Sequence, residues 1–305
     1  MIYIKLFASI LFWSLTFYFV KTALAECGVT TLVFARSVLG LLVVTLFLRE
    51  FKWLKTLTKK DWLRFFFLAM VGVVIQQNVQ GYATMHTSTN HAGWLVALSP
   101  IFVAFTMVAF FKERLPKDKM MGFIICILGV LLIFLSKQTF VDGSSMSTLK
   151  GDLIFVATAV NWVFYVVPMS IWFKNMPNLR ITFCLFLAAV TIMLPIEIVS
   201  GSLKDFAHMG PRALSALAYL GIFCSGFAFI FYNEGIEKIG PSKASAFIYA
   251  QPLFTMVFGY ILLGEVISKE AFIGGALILC GLYLINVRRK RLKRFYITLI
   301  RYFRV

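Results

Sequence analysis

The chain has 305 residues, of which 60% are hydrophobic and 14% charged, with a mean hydropathy of +0.87 and a net charge of +17. So little polar surface cannot cover the core of a soluble protein of this size, and no soluble domain is left to carry a nucleic-acid face. The apolar residues fall instead in blocks of about 20, the length a helix needs to cross about 30 Å of hydrocarbon.

The first block, 4–24, contains Lys5, Trp13 and Lys21 and ends near Ala23-Leu24-Ala25, a pattern that also fits a cleavable signal peptide. Its length, the interruption by Lys21 and an internal counterpart further along favour a retained first helix. Blocks at 30–48, 63–83, 91–111 and 119–136 follow. The polar stretch 137–150, with Asp142-Gly143-Ser144-Ser145, marks the midpoint. Five more blocks lie at 151–173, 181–200, 212–233, 243–263 and 270–287. The expected fold is an all-α membrane protein of ten transmembrane helices. It divides into a five-helix unit at 1–136, a connecting loop at 137–150, a second five-helix unit at 151–287 and a tail at 288–305.

Basic residues orient such a bundle. With the N-terminus cytoplasmic, the inner segments hold 23 Lys and Arg and the outer ones hold 6. Both termini are therefore expected inside a cell inner or plasma membrane. The tail reads as a basic amphipathic helix with Leu292, Phe295, Leu299 and Phe303 on one face, suited to anionic lipid headgroups. The five cysteines are odd in number, form no CxxC and mostly lie in apolar blocks, so they read as small buried hydrophobes. No metal site or cofactor is expected. A monomer or weak homodimer is.

The two halves repeat. Ala92, Pro100, Glu113, Gly122 and Gly129 recur 152 residues later as Ala244, Pro252, Glu265, Gly274 and Gly281. Upstream, Trp13/Trp162, Phe34/Phe183 and Gly72/Gly221 recur at 149. An odd number of helices per half inverts the second half relative to the first. Inverted repeats are a mark of secondary transporters, which bind substrate near the bilayer midplane between the halves.

Trp13-Ser14-Leu15-Thr16-Phe17 with Lys21, Phe34-Ala35-Arg36 and the Ala-x7-Pro-x12-Glu pattern of both halves resemble the drug/metabolite transporter superfamily, in its EamA-like branch. Ser14 and Thr16 stand where that family usually has Gly and Asn. The resemblance spans about 4–287 and implies ten helices, a central cavity and alternating access. It implies no particular substrate.

Candidate substrate-binding residues are those that put amides or rings inside spans. Gln76 and Gln80 share a helix face within the cluster Gln76, Gln77, Asn78, Gln80, and lipid offers amides no partner. Trp13, Asn161, Trp162 and Tyr165 lie on the equivalent first helices of the halves, and Trp94, Tyr249 and Gln251 on the equivalent fourth helices. Rings in a cavity stack on planar groups while amides orient polar ones, although rings in such a chain also serve plain packing. Pro100 and Pro252 read as kinks that are structural or take part in gating. Glu113 and Glu265 read as architectural carboxylates at helix ends. Arg36, a charge within a span, reads as either architectural or an anchor for a substrate carboxylate. Glu234 near the inner end of span 8 reads as a gate residue seeking a cation.

These features point to a secondary transporter of small organic metabolites, amino acids or related polar or aromatic molecules. A lipid flippase or drug exporter of the same architecture is the alternative. The sequence holds no HExxH, GxSxG or P-loop, so an enzyme is not expected. The scarcity of deep carboxylates favours facilitated diffusion or exchange over proton coupling.

Overall fold

A computed structural model describes residues 1–87, 89–112, 117–135, 149–263 and 269–286. Glu113, Glu265, most of the connecting loop and the basic tail lie outside the described residues. All regular elements among those described are helical. In hydrocarbon this follows from the backbone, because a helix satisfies its N–H and C=O groups within its own segment.

Eight helices are long and apolar enough to cross a membrane: Ile2–Leu24, Val29–Phe47, Lys59–Thr84, Ala92–Phe111, Lys150–Trp172, Asn178–Ser200, Pro211–Ile239 and Pro241–Leu262. Helices also run over Lys117–Leu135 and Lys269–Asn286, where the described apolar stretches, Lys119–Gly129 and Phe272–Ile285, are shorter. The chain is thus consistent with a multi-pass membrane protein. Leu46, Phe110, Val199 and Phe272 stand exposed on its outside, a cost in water and none against acyl chains.

Local chemistry sets where these helices start and stop. Thr58 and Asp61 form a capping box at the start of the Lys59 helix, each bonding the other's backbone N–H. Gly240, at φ +83°, ends the Pro211–Ile239 helix, and Pro241 opens the next at its first position.

Several spans are interrupted near their middles. The first divides at Leu15 into Ile2–Ser14 and Thr16–Leu24. Met70–Ile75 and Leu220–Phe227 are π-helical, and the repeated Gly72 and Gly221 fall inside them. The fourth span of the first half breaks between Val96 and Ser99, and its counterpart passes through a 3₁₀ turn at Phe247–Ala250. Pro100 and Pro252 sit in the first turn of the segments after these breaks, Ser99–Phe111 and Gln251–Leu263. Both therefore lie near the middle of a span, where the sequence suggested a kink, and each directly follows the interruption of its span. In a first turn the missing N–H has no intrahelical partner to lose, so these prolines restart a helix.

The Lys117–Leu135 and Lys269–Asn286 helices pack antiparallel through glycine. A Cβ on Gly122 would lie 2.8 Å from the Gly281 carbonyl oxygen, and one on Gly129 would lie 2.6 Å from that of Gly274. Between these contacts the Cys126 Sγ–H points at the Ile278 carbonyl, 3.6 Å away. Small residues are what allow two backbones to approach this closely in lipid.

Candidate functional site

The interrupted spans and two regular ones line a cavity that, together with the solvent at its mouth, encloses about 560 Å³ of space free of atoms. From the N-terminal half it is lined by Trp13, Thr16 and Phe17 on the first helix, Arg36 on the second, Gly72, Gln76, Gln77 and Gln80 on the third, and Val96 and Ser99 on the fourth. From the C-terminal half it is lined by Trp162, Phe229, Ile248 and Gln251.

Backbone carbonyls in the π-helical turns take donors from the opposite half. The Trp13 indole N–H donates to the Cys224 carbonyl at 2.9 Å. The Asn161 amide donates at 2.7 Å both to the Val71 carbonyl and to Gln76 Oε1. A π turn breaks the ordinary i→i−4 ladder and so leaves carbonyls for such bonds, which is one reason these turns occur at functional sites. Trp13 and Trp162 meet edge to face, 5.9 Å apart at 89°, and Phe229 and Tyr232 pack round them. Gln251 Nε2 donates to the Trp13 carbonyl at 3.4 Å. Gln77 is 6% exposed, and its buried Oε1 has no hydrogen-bond partner among the described residues.

Arg36 is 5% exposed and donates through Nε to Ser225 Oγ at 3.1 Å. No ion pair joins it to a carboxylate among the described residues. Among the described residues the cavity lining contains no Asp or Glu.

Polar links tie the halves together beyond both ends of the cavity. At one end Glu234 accepts from Lys5 at 2.6 Å and from Lys238 at 2.5 Å. At the other, Asp205 accepts from the Gly28 N–H and the Thr31 hydroxyl, both at 3.1 Å, and Glu26 accepts from the Gly210 N–H at 2.6 Å. Beside this second cluster, burial together with Asp205 and Glu26 pushes the Cys27 thiol up to about 11, so it stays protonated at neutral pH.

The sequence pattern of the EamA-like transporter family matches residues 1–135 and 149–287. The chain belongs to that family. An uncharacterized transporter of Archaeoglobus fulgidus is 28% identical over 286 residues, covering 92% of this chain and 96% of the relative. A protein of Streptantibioticus cattleyicolor named a "probable terminal-alkyne amino-acid exporter" is 23% identical over 217 residues, 71% of this chain and 70% of the relative. A solved crystal structure superposes with a TM-score of 0.68 at 19% identity, covering 95% of this chain and 97% of the other, which shows a shared fold. Family and relatives are transporters, not enzymes.

Within this EamA-like transporter the sequence-derived candidates divide. Trp13, Arg36, Gln76, Gln80, Trp162 and Gln251 line the cavity together. Asn161 stands one layer behind, holding Gln76. Tyr165 is fully buried, its hydroxyl donating to Asn233 at 2.7 Å and its ring filling the space beside Gly72. Trp94 and Tyr249 are buried in packing, Tyr249 against Phe123 at 6.3 Å. Pro100 and Pro252 are also off the cavity wall.

Thr16, Phe17, Gly72, Gln77, Val96, Ser99, Phe229 and Ile248 line the cavity without having been chosen from sequence. The repeat could have found several of them. Ser99 and Gln251 stand 152 residues apart, as do Val96 and Ile248, while Gln80 and Phe229 stand 149 apart. Each pair puts both of its members on the cavity wall.

Proposed function

We propose that this protein is a secondary transporter that moves small organic metabolites across the cytoplasmic membrane by alternating access. Ten helices form two inverted five-helix repeats, and the substrate is an amino acid or a related polar or aromatic molecule. The observation that carries this reading is the cavity wall, built from residues at matched positions of the two halves. Trp13 faces Trp162, and Ser99 and Gln251 share the same chamber. A site on the pseudo-two-fold axis of an inverted repeat is the arrangement that rocking motion exposes to each side in turn.

Three further observations support the inversion. The helices bearing the glycine repeats run antiparallel, and each glycine contacts the counterpart of its neighbour rather than its own. Cys126, at the centre of that seam, meets Ile278, which lies 152 residues further on. The family pattern covers two stretches on either side of the midpoint. On this reading both termini lie in the cytoplasm, the side that the excess of basic residues favours. The Lys5–Glu234–Lys238 cluster then forms the inner gate, and the Asp205–Thr31 and Glu26–Gly210 links form the outer one. The amino-acid export attributed to the Streptantibioticus relative is in keeping with amides and rings in the chamber. With no carboxylate on the described wall, facilitated diffusion or exchange is favoured over proton coupling.

The test is solute counterflow in liposomes containing the purified protein. A labelled amino acid or related metabolite is expected to accumulate saturably, with Trp162→Ala reducing the rate by about tenfold or more. Failure of every solute in a broad metabolite panel to move would end the reading.

A further inference from the structure

We infer that the substrate of this site carries a carboxylate, or a monoanion of the same shape, and that the Arg36 guanidinium is its anchor. The inference rests on the transporter reading and narrows it to a substrate class.

A guanidinium stays charged at any pH a protein meets, so a buried arginine requires compensation from outside itself. Among the described residues Arg36 obtains one hydrogen bond, from Nε to the neutral Ser225 hydroxyl, and no ion pair. Among the described residues, three carboxylates of the bundle are engaged elsewhere. Glu234 holds Lys5 and Lys238. Asp205 and Glu197 Oε2 share the hydroxyl of Thr31, which lies five residues before Arg36 and so about 7–8 Å away along the helix, and Glu197 Oε1 makes no hydrogen bond to Arg36 or to any other described residue. A buried charge left without a partner is costly, and here the open side of the charge is the chamber. The planar fork of an arginine matches a carboxylate with two parallel bonds.

The rest of the wall says what else the anion bears. Gln77 Oε1 is an acceptor without a donor among the described residues, suited to an N–H or O–H on the substrate. Trp13, Phe17, Trp162 and Phe229 provide apolar and ring surface for the remainder. The charge is also one-sided. The position 149 residues after Arg36 is Leu185, so the repeat supplies no second anchor and no acidic partner for a cation. A wall whose described residues carry one fixed positive charge and no carboxylate admits anions and zwitterions and rejects organic cations.

The test uses full-length protein in lipid nanodiscs, with binding measured by calorimetry. The ligands are a panel of short aliphatic and aromatic monocarboxylates, each with its isosteric amide and amine. One such set is 3-phenylpropionate, 3-phenylpropanamide and 3-phenylpropylamine. The carboxylate member is expected to bind about tenfold or more tightly than its amide, with no measurable binding of the amine. Arg36→Gln should erase the difference between carboxylate and amide. Ser225→Ala, which frees the guanidinium from its tether, should reduce that difference without erasing it.

Equal or tighter binding of amides or amines by the wild-type protein would overturn the inference, whatever the variants do. So would transport of a cationic or uncharged solute by a preparation that binds none of the carboxylates, and in that case the transporter reading survives. A preparation that neither binds nor moves any solute would sink both.

Discussion

The glycine seam and the cavity are both built from the repeat, yet they keep different things from it. Along the seam, Gly122 meets Gly281 and Gly129 meets Gly274, so the matched positions have stayed identical. At the cavity Trp13 and Trp162 have stayed identical, but the other matched positions have diverged. Gln80 stands opposite Phe229 in the repeat, Ser99 opposite Gln251, and Arg36 opposite Leu185. The N-terminal half therefore brings the charge and most of the amides, and the C-terminal half brings mostly rings and aliphatic surface. Backbone contact tolerates no variation in either half, because a Cβ has nowhere to go. A chamber open to a solute lets each half change its side chains independently, and an asymmetric molecule is best read by an asymmetric wall.

The sharpest way to break this comparison is at the seam. Gly281→Leu drives a side chain into the Gly122 carbonyl and Cys126, where the obstruction is partly backbone and cannot swing aside. Overpacking commonly costs about 1–3 kcal/mol, and a forced separation of two backbones belongs at the top of that range or beyond, about 3 kcal/mol or more. The expected outcome is a large loss of monodisperse protein on size exclusion and a lowered melting temperature. An unchanged melting profile would mean that the seam is not holding the helices together.

Asn161→Leu probes the layer between seam-like rigidity and cavity-like freedom. It leaves the Val71 carbonyl and Gln76 Oε1 without their donor. Each buried group left unsatisfied costs about 1–3 kcal/mol, so a loss of about 2–3 kcal/mol is expected in thermal unfolding. Because Gln76 is also released from its position on the wall, transport should fall further than stability alone explains. A variant that melts earlier but transports normally would assign Asn161 to the π turn and not to the site.

Much of this is legible in the amino-acid sequence, for reasons that differ along the chain. Helix positions follow from apolar block length, and the seam shows as glycines at a fixed offset because glycine has few substitutes where backbones touch. Arg36, Gln76 and Gln80 are legible because hydrocarbon offers polar groups nothing, so they have to face inward. Trp94 and Tyr249 mislead for the converse reason. In helices apolar all round, no periodicity separates the face toward a cavity from the face toward a neighbour, and a ring suits both. Tyr165 is a ring on the expected helix, but Gly72 opens a slot that it fills. Gln77 belongs to the amide cluster and, three residues before Gln80, flanks the same helix face, so the cluster taken whole would have included it. The π-helical turn immediately before these amides, which no local signal in Met70–Ile75 announces, rotates the succeeding residues relative to a regular helix. The restarts at Pro100 and Pro252 are marked by the prolines themselves, but a proline read alone does not say whether it bends a helix or begins one.

The smallest effect is expected at a glycine kept for a reason unlike the seam's. Gly201 closes the Asn178–Ser200 helix at φ +69°, and a Cβ built there meets nothing within 4 Å. Space is free, so any cost of substitution comes from the backbone alone. An L-residue held in the left-handed region costs about 1 kcal/mol, and asparagine, whose short amide bonds locally there, costs less. Gly201→Ala should therefore lower the melting temperature slightly, and Gly201→Asn should recover most of the difference. Gly201→Val, β-branched, should be the worst of the three. Substitution at Gly281 should instead follow side-chain volume, with alanine already harmful and asparagine worse than alanine. If both positions gave the same ranking, the distinction between a glycine required for its conformation and one required for its size would not hold in this protein.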